Sequence, residues 1–110
     1  MCGIAGFISA SLKRDDLLVM TDRMRHRGPD GSGYFFEPAG KGHVGLGHRR
    51  LSIIDLSEAS AQPMVSHCGR YTMIFNGEIY NFLQLRQTKC TGVNWRSSGD
   101  GEVILECFAR

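Results

Sequence analysis

Fourteen glycines, spread singly along 110 residues rather than gathered in repeats, divide this chain into short apolar runs separated by turns. Glycine permits the backbone conformations of tight turns and lets two segments approach with no side chain between them. Such a chain folds into short strands and helices packed closely at the glycine positions. The apolar fraction of 42% and the charged fraction of 22% supply one core and exclude a disordered chain. One domain is the expectation at this length.

The runs have distinct periods. Residues 3–9, GIAGFIS, place Ile4 and Ile8 on one side and Ala5 and Phe7 on the other, which predicts a strand buried on both faces. From Asp15 to about His26 the spacing of Leu17, Met20 and Met24 is helical, with Asp15 and Asp16 in the first turn and Arg23, Arg25 and His26 in the last. Gly28-Pro29 ends that helix, and HRGPDGSG is dense enough in turn residues to predict a loop. Residues 34–36 and 44–54 are strand-like, with glycines that mark bulges or close contacts. The polar stretch from Asp55 to Gln62 separates them from a further strand, Tyr71 to Phe75. Asn76-Gly77 then leads into helical spacing from Glu78 to Arg86, carried by Ile79, Phe82 and Leu83. After a turn-like region Asp100 opens a last helix, whose apolar side is expected to be Val103, Ile104, Cys107 and Phe108. Nothing closes that helix before Arg110, the pattern expected of a chain cut inside an element.

Several functions are disfavoured by composition. The formal charge is +2, and Arg23, Arg25, Arg27, Arg49 and Arg50 are interrupted by Asp22, Asp30 and Asp55 with no lysine run or aromatic ladder, so no nucleic-acid partner is expected. No apolar stretch reaches the length of a membrane span and no signal-peptide pattern opens the chain, which predicts a cytoplasmic protein with no membrane partner. Cys2, Cys68, Cys90 and Cys107 form no C-x-x-C pair, which argues against a zinc site and gives no disulfide framework. The last three are expected to be incidental small apolar residues. Gly40 to Gly45 spells G-x-G-x-x-G, but it neither follows a strand nor opens a helix and is no dinucleotide site.

The chemistry begins at Cys2. Once the initiator methionine is removed, Cys2 carries a thiol and a free α-amine on one residue, with reference pKa values of about 8.5 and about 7.7 to 8.0, so proton transfer from sulfur to nitrogen costs only about 1 kcal/mol. An N-terminal residue can thereby act as nucleophile and base together. Asn76-Gly77 is a hairpin signal, yet the helical period after it favours a strand-to-helix turn, where a side-chain amide and backbone N–H groups converge as an oxyanion hole requires. Arg50 is either a solvated arginine or, at a strand edge, a bidentate holder of a carboxylate. Asp100 is either a helix N-cap or a ligand for an ammonium group.

Taken in order, MCGIAGF, RHRGPDGSG, GHRRLSIIDL with QPM, FNGEIYNF and SGDGEVILECF resemble the glutaminase domain of class II glutamine amidotransferases, and among these are most similar to glutamine-hydrolysing asparagine synthetases. The resemblance runs over nearly the whole chain. It implies an α+β fold, the N-terminal-nucleophile hydrolase four-layer αββα sandwich, of which residues 1–110 are the truncated glutaminase domain. It implies that Cys2 attacks the side-chain amide of L-glutamine and that its α-amine handles the proton. A glutamyl thioester follows. Asn76 and Gly77 would form the oxyanion hole; Arg50 would bind the substrate carboxylate, Ile53 and Ile54 would offer backbone contacts, and Glu78 and Asp100 would hold the α-ammonium. Arg27 and the RGPDGSG segment would help close the site. No metal and no cofactor belong to this domain by that resemblance; ATP and magnesium go with a synthetase domain of the same polypeptide that makes asparagine from aspartate. It also allows a homodimer. Gly101 and residues 88–95 depart from the usual pattern around Asp100. The alternatives are an amidotransferase with another acceptor, such as a sugar or cell-surface precursor, or a non-catalytic truncated fragment.

Overall fold

The structure, a computed structural model, describes residues 2–51 and 58–110. It is a small α+β domain with antiparallel sheets. Strand β1 (Gly3–Ser9) is followed by helix α1 (Arg14–Asp22), then β2 (Gly31–Ala39) and β3 (Gly42–Arg50). A short 3-10 turn (Glu58–Ser60) precedes β4 (Met64–Val65) and β5 (Thr72–Met73), and helices α2 (Phe82–Thr88) and α3 (Gly101–Ala109) complete it. The main sheet has the order β1-β3-β2, and β4 pairs with β5 in a second, two-stranded sheet. No described helix is long and apolar enough to cross a membrane.

The hairpin β2–β3 turns at Gly40-Lys41, where Gly40 has a φ of 59°, and this is what the G-x-G-x-x-G string encodes. The central strand β3 pairs Gly3 with Arg49, Ala5 with Gly47 and Phe7 with Gly45 on one side, and Ser32 with Arg49 and Tyr34 with Gly47 on the other. Directly opposed residues of an antiparallel pair share a face. Gly3, Ala5, Phe7, Tyr34, Gly47 and Arg49 therefore look the same way, toward α1. The glycines there are contact sites, as expected, with no break in register: a Cβ on Gly47 would land on the Thr21 hydroxyl, and one on Gly45 would meet the Phe7 ring. Thr21 is fully buried, its hydroxyl donating to Leu17 O at 2.7 Å, and Leu17 beside it is fully buried as well.

Helix α1 packs on that face. Ile4 is 46% and Ile8 80% exposed, so β1 is not buried on both sides as its apolar run predicts. The reason is topological: one helix on a three-stranded antiparallel sheet covers one face. The α1 helix is also shorter than its periodicity suggests. At its start the Asp16 carboxylate accepts from Lys13 N–H at 2.7 Å and satisfies one N-terminal donor. After Asp22 the chain runs through turns, and Met24 reaches Gly3 from one of them while Arg23, Arg25 and His26 lie outside the helix.

Further differences have local causes. Gly31-Ser32-Gly33, expected in a loop, belong to β2 because β3 extends to Arg50 and supplies their partners. Of Tyr71 to Phe75 only Thr72 and Met73 are strand. Helix α2 starts at Phe82 rather than near Glu78, and in the segment before it Ile79 N–H donates to the Asp100 carboxylate at 2.8 Å. In α3 the buried apolar residues are Val103 and Leu105, while Phe108 is 71% exposed against the edge of Tyr71. The expected strand over 52–54 lies outside the described residues.

The unexpected content of α3 is charge. Glu102 is fully buried, and its carboxylate accepts from Ser97 N–H at 2.9 Å, Ser97 Oγ at 2.8 Å, Arg96 N–H at 3.1 Å and His67 Nε2 at 3.3 Å. Burial alone would push this carboxyl up, but those donors outweigh it and hold it below the ordinary glutamate value. Glu106 is buried next to it and accepts from His67 N–H at 2.9 Å. The two carboxylates thus pin the 96–97 and 66–67 segments to α3. Cys90 and Cys107, expected to be incidental, are joined by a disulfide that links the end of α2 to α3.

This packing sets the cost of particular substitutions. A Cβ at Gly28 would fall on the backbone of Arg49, which cannot yield, whereas at Gly31 the nearest atom is 4.0 Å away. Gly28→Ala should cost about 1 to 3 kcal/mol in denaturant unfolding, and Gly31→Ala should stay within about 0.5 kcal/mol. Glu102→Gln loses the charge that collects these donors and should cost about 2 to 4 kcal/mol by the same measurement.

Candidate active site around Cys2 and the Asn76-Gly77 turn

Cys2 stands one residue before β1, and the register that pairs Gly3 with Arg49 brings it to the end of β3. Leu51 N–H donates to Cys2 Sγ at 3.3 Å, and the thiol donates back to Leu51 O at 3.6 Å. Arg27 Nε donates to the Cys2 carbonyl at 3.1 Å, so the arginine of the RGPDGSG segment holds the cysteine's backbone. Cys2 is half-buried. Its position within the strand alternation puts it on the face opposite α1, together with His48 and Arg50.

The two adjacent arginines are separated by that alternation. Arg49 points to the α1 side, where Nε donates to Gly28 O at 2.9 Å and a terminal nitrogen lies 3.8 Å from Asp22. The same Asp22 accepts from the Tyr34 hydroxyl at 2.7 Å. Arg49 is therefore a structural residue that ties the 22–28 turn to the sheet. Arg50 takes the other face and is buried to 9% exposure, with its carbonyl accepting from Asp30 N–H at 2.9 Å. Arg50, the arginine expected at the site, is thus on the face of Cys2, and Arg49 is on the other.

A second group of residues comes from the far half of the chain. Asn76 is half-buried and Gly77 exposed, between β5 and α2, so the Asn-Gly pair does not close a hairpin. Asp100 precedes α3 but makes no side-chain capping bond; its Oδ2 accepts from Ile79 N–H instead. That bond places Asp100 beside Glu78, which is exposed and has no ion-pair partner among the described residues. Arg86 steadies the approach to Asp100, donating to Ser97 O at 2.8 Å and Gly99 O at 2.9 Å with its guanidinium 4.5 Å from the Trp95 ring centre. Ile53 and Ile54 fall outside the described residues.

His48 joins the two groups. It lies on β3 opposite Ile4, two residues before Arg50 on the same face, is only 2% exposed, and its Nε2 meets Phe75 O at 3.3 Å, one residue before Asn76. From the other side, Phe75 N–H donates to Gln62 Oε1. Gln62 reaches there because β2 is glycine on this face: a Cβ on Gly33 would collide with the Gln62 carbonyl. Neither His48 nor Gln62 stands out in the sequence as a site residue. The only signal is their place within the GHRRLSIIDL and QPM strings. Among the described residues no group of three or more His, Cys, Asp or Glu is placed to hold a metal ion.

Cys2 and Arg50 share a strand face, and the Asn76-Gly77 turn is tied to the same strand through His48 and Phe75. The family model of the glutamine amidotransferase domain matches residues 1–110, the whole chain. The chain belongs to the glutamine amidotransferase domain family. It is 38% identical over 115 residues to asparagine synthetase [glutamine-hydrolyzing] 1 of Bacillus subtilis, covering 98% of this chain and 17% of that protein. It is 33% identical over 124 residues to putative asparagine synthetase [glutamine-hydrolyzing] 2 of Methanocaldococcus jannaschii, covering 98% of this chain and 24% of that one. It is also 32% identical over 121 residues to amidase chry2 of Gibberella zeae, covering 98% of this chain and 18% of the relative. The domain thus spans between a sixth and a quarter of the length of these relatives.

Cys68 separates itself from Cys2 by environment. It is exposed, and the hydroxyl of Ser66 at 3.2 Å, with Arg70 nearby, holds its thiol below the ordinary cysteine value. It is therefore a second alkylatable thiol in this domain, outside the Cys2 site. His48 is likewise shifted: burial, reinforced by the Arg50 charge and opposed by the bond to Phe75 O, lowers its pKa. Below about pH 6.5 the unfolded chain binds a proton that folded His48 resists, so stability is complete above that value and falls as pH drops below it. Thermal unfolding followed between about pH 5 and 7 should show this slope, and it should be shallower in His48→Gln.

Proposed function

We propose that this domain hydrolyses L-glutamine to glutamate and ammonia, with Cys2 as the nucleophile. The observation that carries the reading is the match of the glutamine amidotransferase family over all residues, combined with Cys2 and Arg50 on one strand face. After removal of Met1 the α-amine of Cys2 takes the thiol proton, and the thiolate attacks the side-chain amide carbon. The carbonyl electron pair moves to oxygen, where the Asn76 amide and Gly77 N–H receive the charge. Collapse of the tetrahedral intermediate expels ammonia with a proton from the α-ammonium group, leaving a glutamyl thioester. Water, deprotonated by the same amine, then cleaves the thioester and restores the thiol.

Recognition of the substrate uses both ends of the amino acid. Arg50 binds the α-carboxylate and Asp100 with Glu78 the α-ammonium, while Ile53 and Ile54 contribute backbone contacts. A zwitterion read by a fixed cation and a fixed anion is distinguished from simple amides. We place residues 1–110 as the glutaminase part of a four-layer αββα N-terminal-nucleophile fold, with ammonia passing to a synthetase domain that uses ATP and magnesium to make asparagine from aspartate. The names of the Bacillus and Methanocaldococcus relatives support this acceptor. The second reading is the same hydrolysis coupled to a different acceptor, and amidase chry2, a relative not named as an asparagine synthetase, keeps it open.

The test is alkylation by a glutamine-mimicking diazoketone, with peptide mapping. One adduct on an N-terminal Cys2 that excess glutamine prevents is the expected result; adducts at Cys68 that glutamine leaves unchanged measure background. Asn76→Ala should lower kcat by about 10² to 10³-fold. A Cys2→Ala chain that still releases ammonia would refute the nucleophile.

A further inference from the structure

Phe75 is held in an unusual way. The N–H and C=O of a residue leaving a strand are normally taken by a neighbouring backbone or by water. Here each goes to a side chain from a different segment: N–H to Gln62 Oε1, C=O to His48 Nε2 at 3.3 Å. A carbonyl only accepts, so His48 carries a proton on Nε2 in this bond. The two bonds fix the peptide planes on both sides of Phe75, and the second plane ends at the Cα of Asn76. The Phe75 ring completes the arrangement from the Gly77 side, where an added Cβ would come within 2.8 Å of the ring.

Both clamping residues are themselves fixed. His48 is 2% exposed on the central strand, on the face that carries Cys2 and Arg50, and is paired with Ile4 of β1 and Gly33 of β2. The Gln62 backbone is seated on Gly33, so its side chain reaches Phe75 from the sheet. The Asn76-Gly77 turn lies outside any strand ladder, and these bonds are what register it against the strand that bears the nucleophile's neighbour.

We infer that His48 and Gln62 are positioning residues that clamp the Phe75 peptide from both sides and thereby set where Asn76 and Gly77 present their donors. The inference rests on the glutaminase reading for its consequence in turnover, but the clamp itself is a structural claim with its own readout. His48→Leu and Gln62→Leu remove the donor and the acceptor. His48→Gln keeps an N–H at the same reach, and Gln62→Glu keeps an oxygen acceptor.

Turnover of glutamine and backbone 15N order parameters are measured on the same chains. Both Leu variants should lower kcat by about 10²-fold with KM little changed, the signature of a misplaced transition-state donor. His48→Gln and Gln62→Glu should recover to within about tenfold of the parent. The order parameters of Phe75, Asn76 and Gly77 should fall from about 0.85 to below about 0.6 in the Leu variants, with those of β1 to β3 unchanged. A loss confined to KM, conservative variants as impaired as the Leu variants, or unchanged order parameters at 75–77 would overturn the clamp. If the parent chain does not turn over glutamine, the glutaminase reading fails alone and the order parameters still decide the clamp. Should His48→Leu not fold, Gln62→Leu and Gln62→Glu decide it by the same measurements.

Discussion

Antiparallel pairing of β1 with β3 sets the position of nearly everything else in this domain. Because Gly3 is opposite Arg49, the residue at the start of the chain arrives beside residues 49 positions later, and Leu51 can bond the Cys2 sulfur. A slip of one residue in this pairing would put Cys2 on the face of Arg49 and take it away from that of Arg50. That slip is opposed by close fits that tolerate no side chain, notably Gly47 beneath Thr21, Gly45 beneath Phe7 and Gly28 on the Arg49 backbone. The glycines thus act on function by enforcing register.

A second constraint is the handling of buried polar groups. Among the described residues the core holds His48, Arg49, Arg50, Glu102 and Glu106 at 9% exposure or less, next to the fully buried Leu17, Cys90 and Val103. Burying charge is costly unless each group finds partners. Glu102 finds them in the backbone of 96–97 and in His67, and Arg49 in Gly28 and Asp22. The result is that irregular segments with little secondary structure of their own are held in one arrangement by directional bonds. The Asn76-Gly77 turn belongs to this class, secured by His48, Gln62 and, through Ile79, by Asp100.

Much of the architecture is legible in the chain. GIAGFIS, the 44–50 run and the helices at 14–22 and 101–109 form elements where their hydrophobic periods predict them, and the G-x-G-x-x-G string, no dinucleotide site, is a hairpin tip. Motif order singles out the candidate residues Cys2, Arg50, Asn76, Gly77, Glu78 and Asp100, whose grouping is not visible in local pattern alone. Periodicity fails where side chains take the groups of a backbone ladder, as Gln62 and His48 do at Phe75. It fails also at α3, where Glu102 and Glu106 sit inside because their partners come from distant segments.

Residue types and their spacing along single elements suffice for the approximate places of strands, helices and turns, and the resemblance carried by five motifs in order points to the family and the candidate nucleophile. Folding in three dimensions was needed to settle which arginine shares a face with Cys2, that Asp100 serves Ile79 rather than its own helix, and that His48 and Gln62 grip Phe75. Those outcomes depend on pairing register and on hydrogen bonds between segments far apart along the chain. Such bonds leave no periodic trace, because a single donor or acceptor is satisfied by whichever group the fold brings within about 3 Å of it.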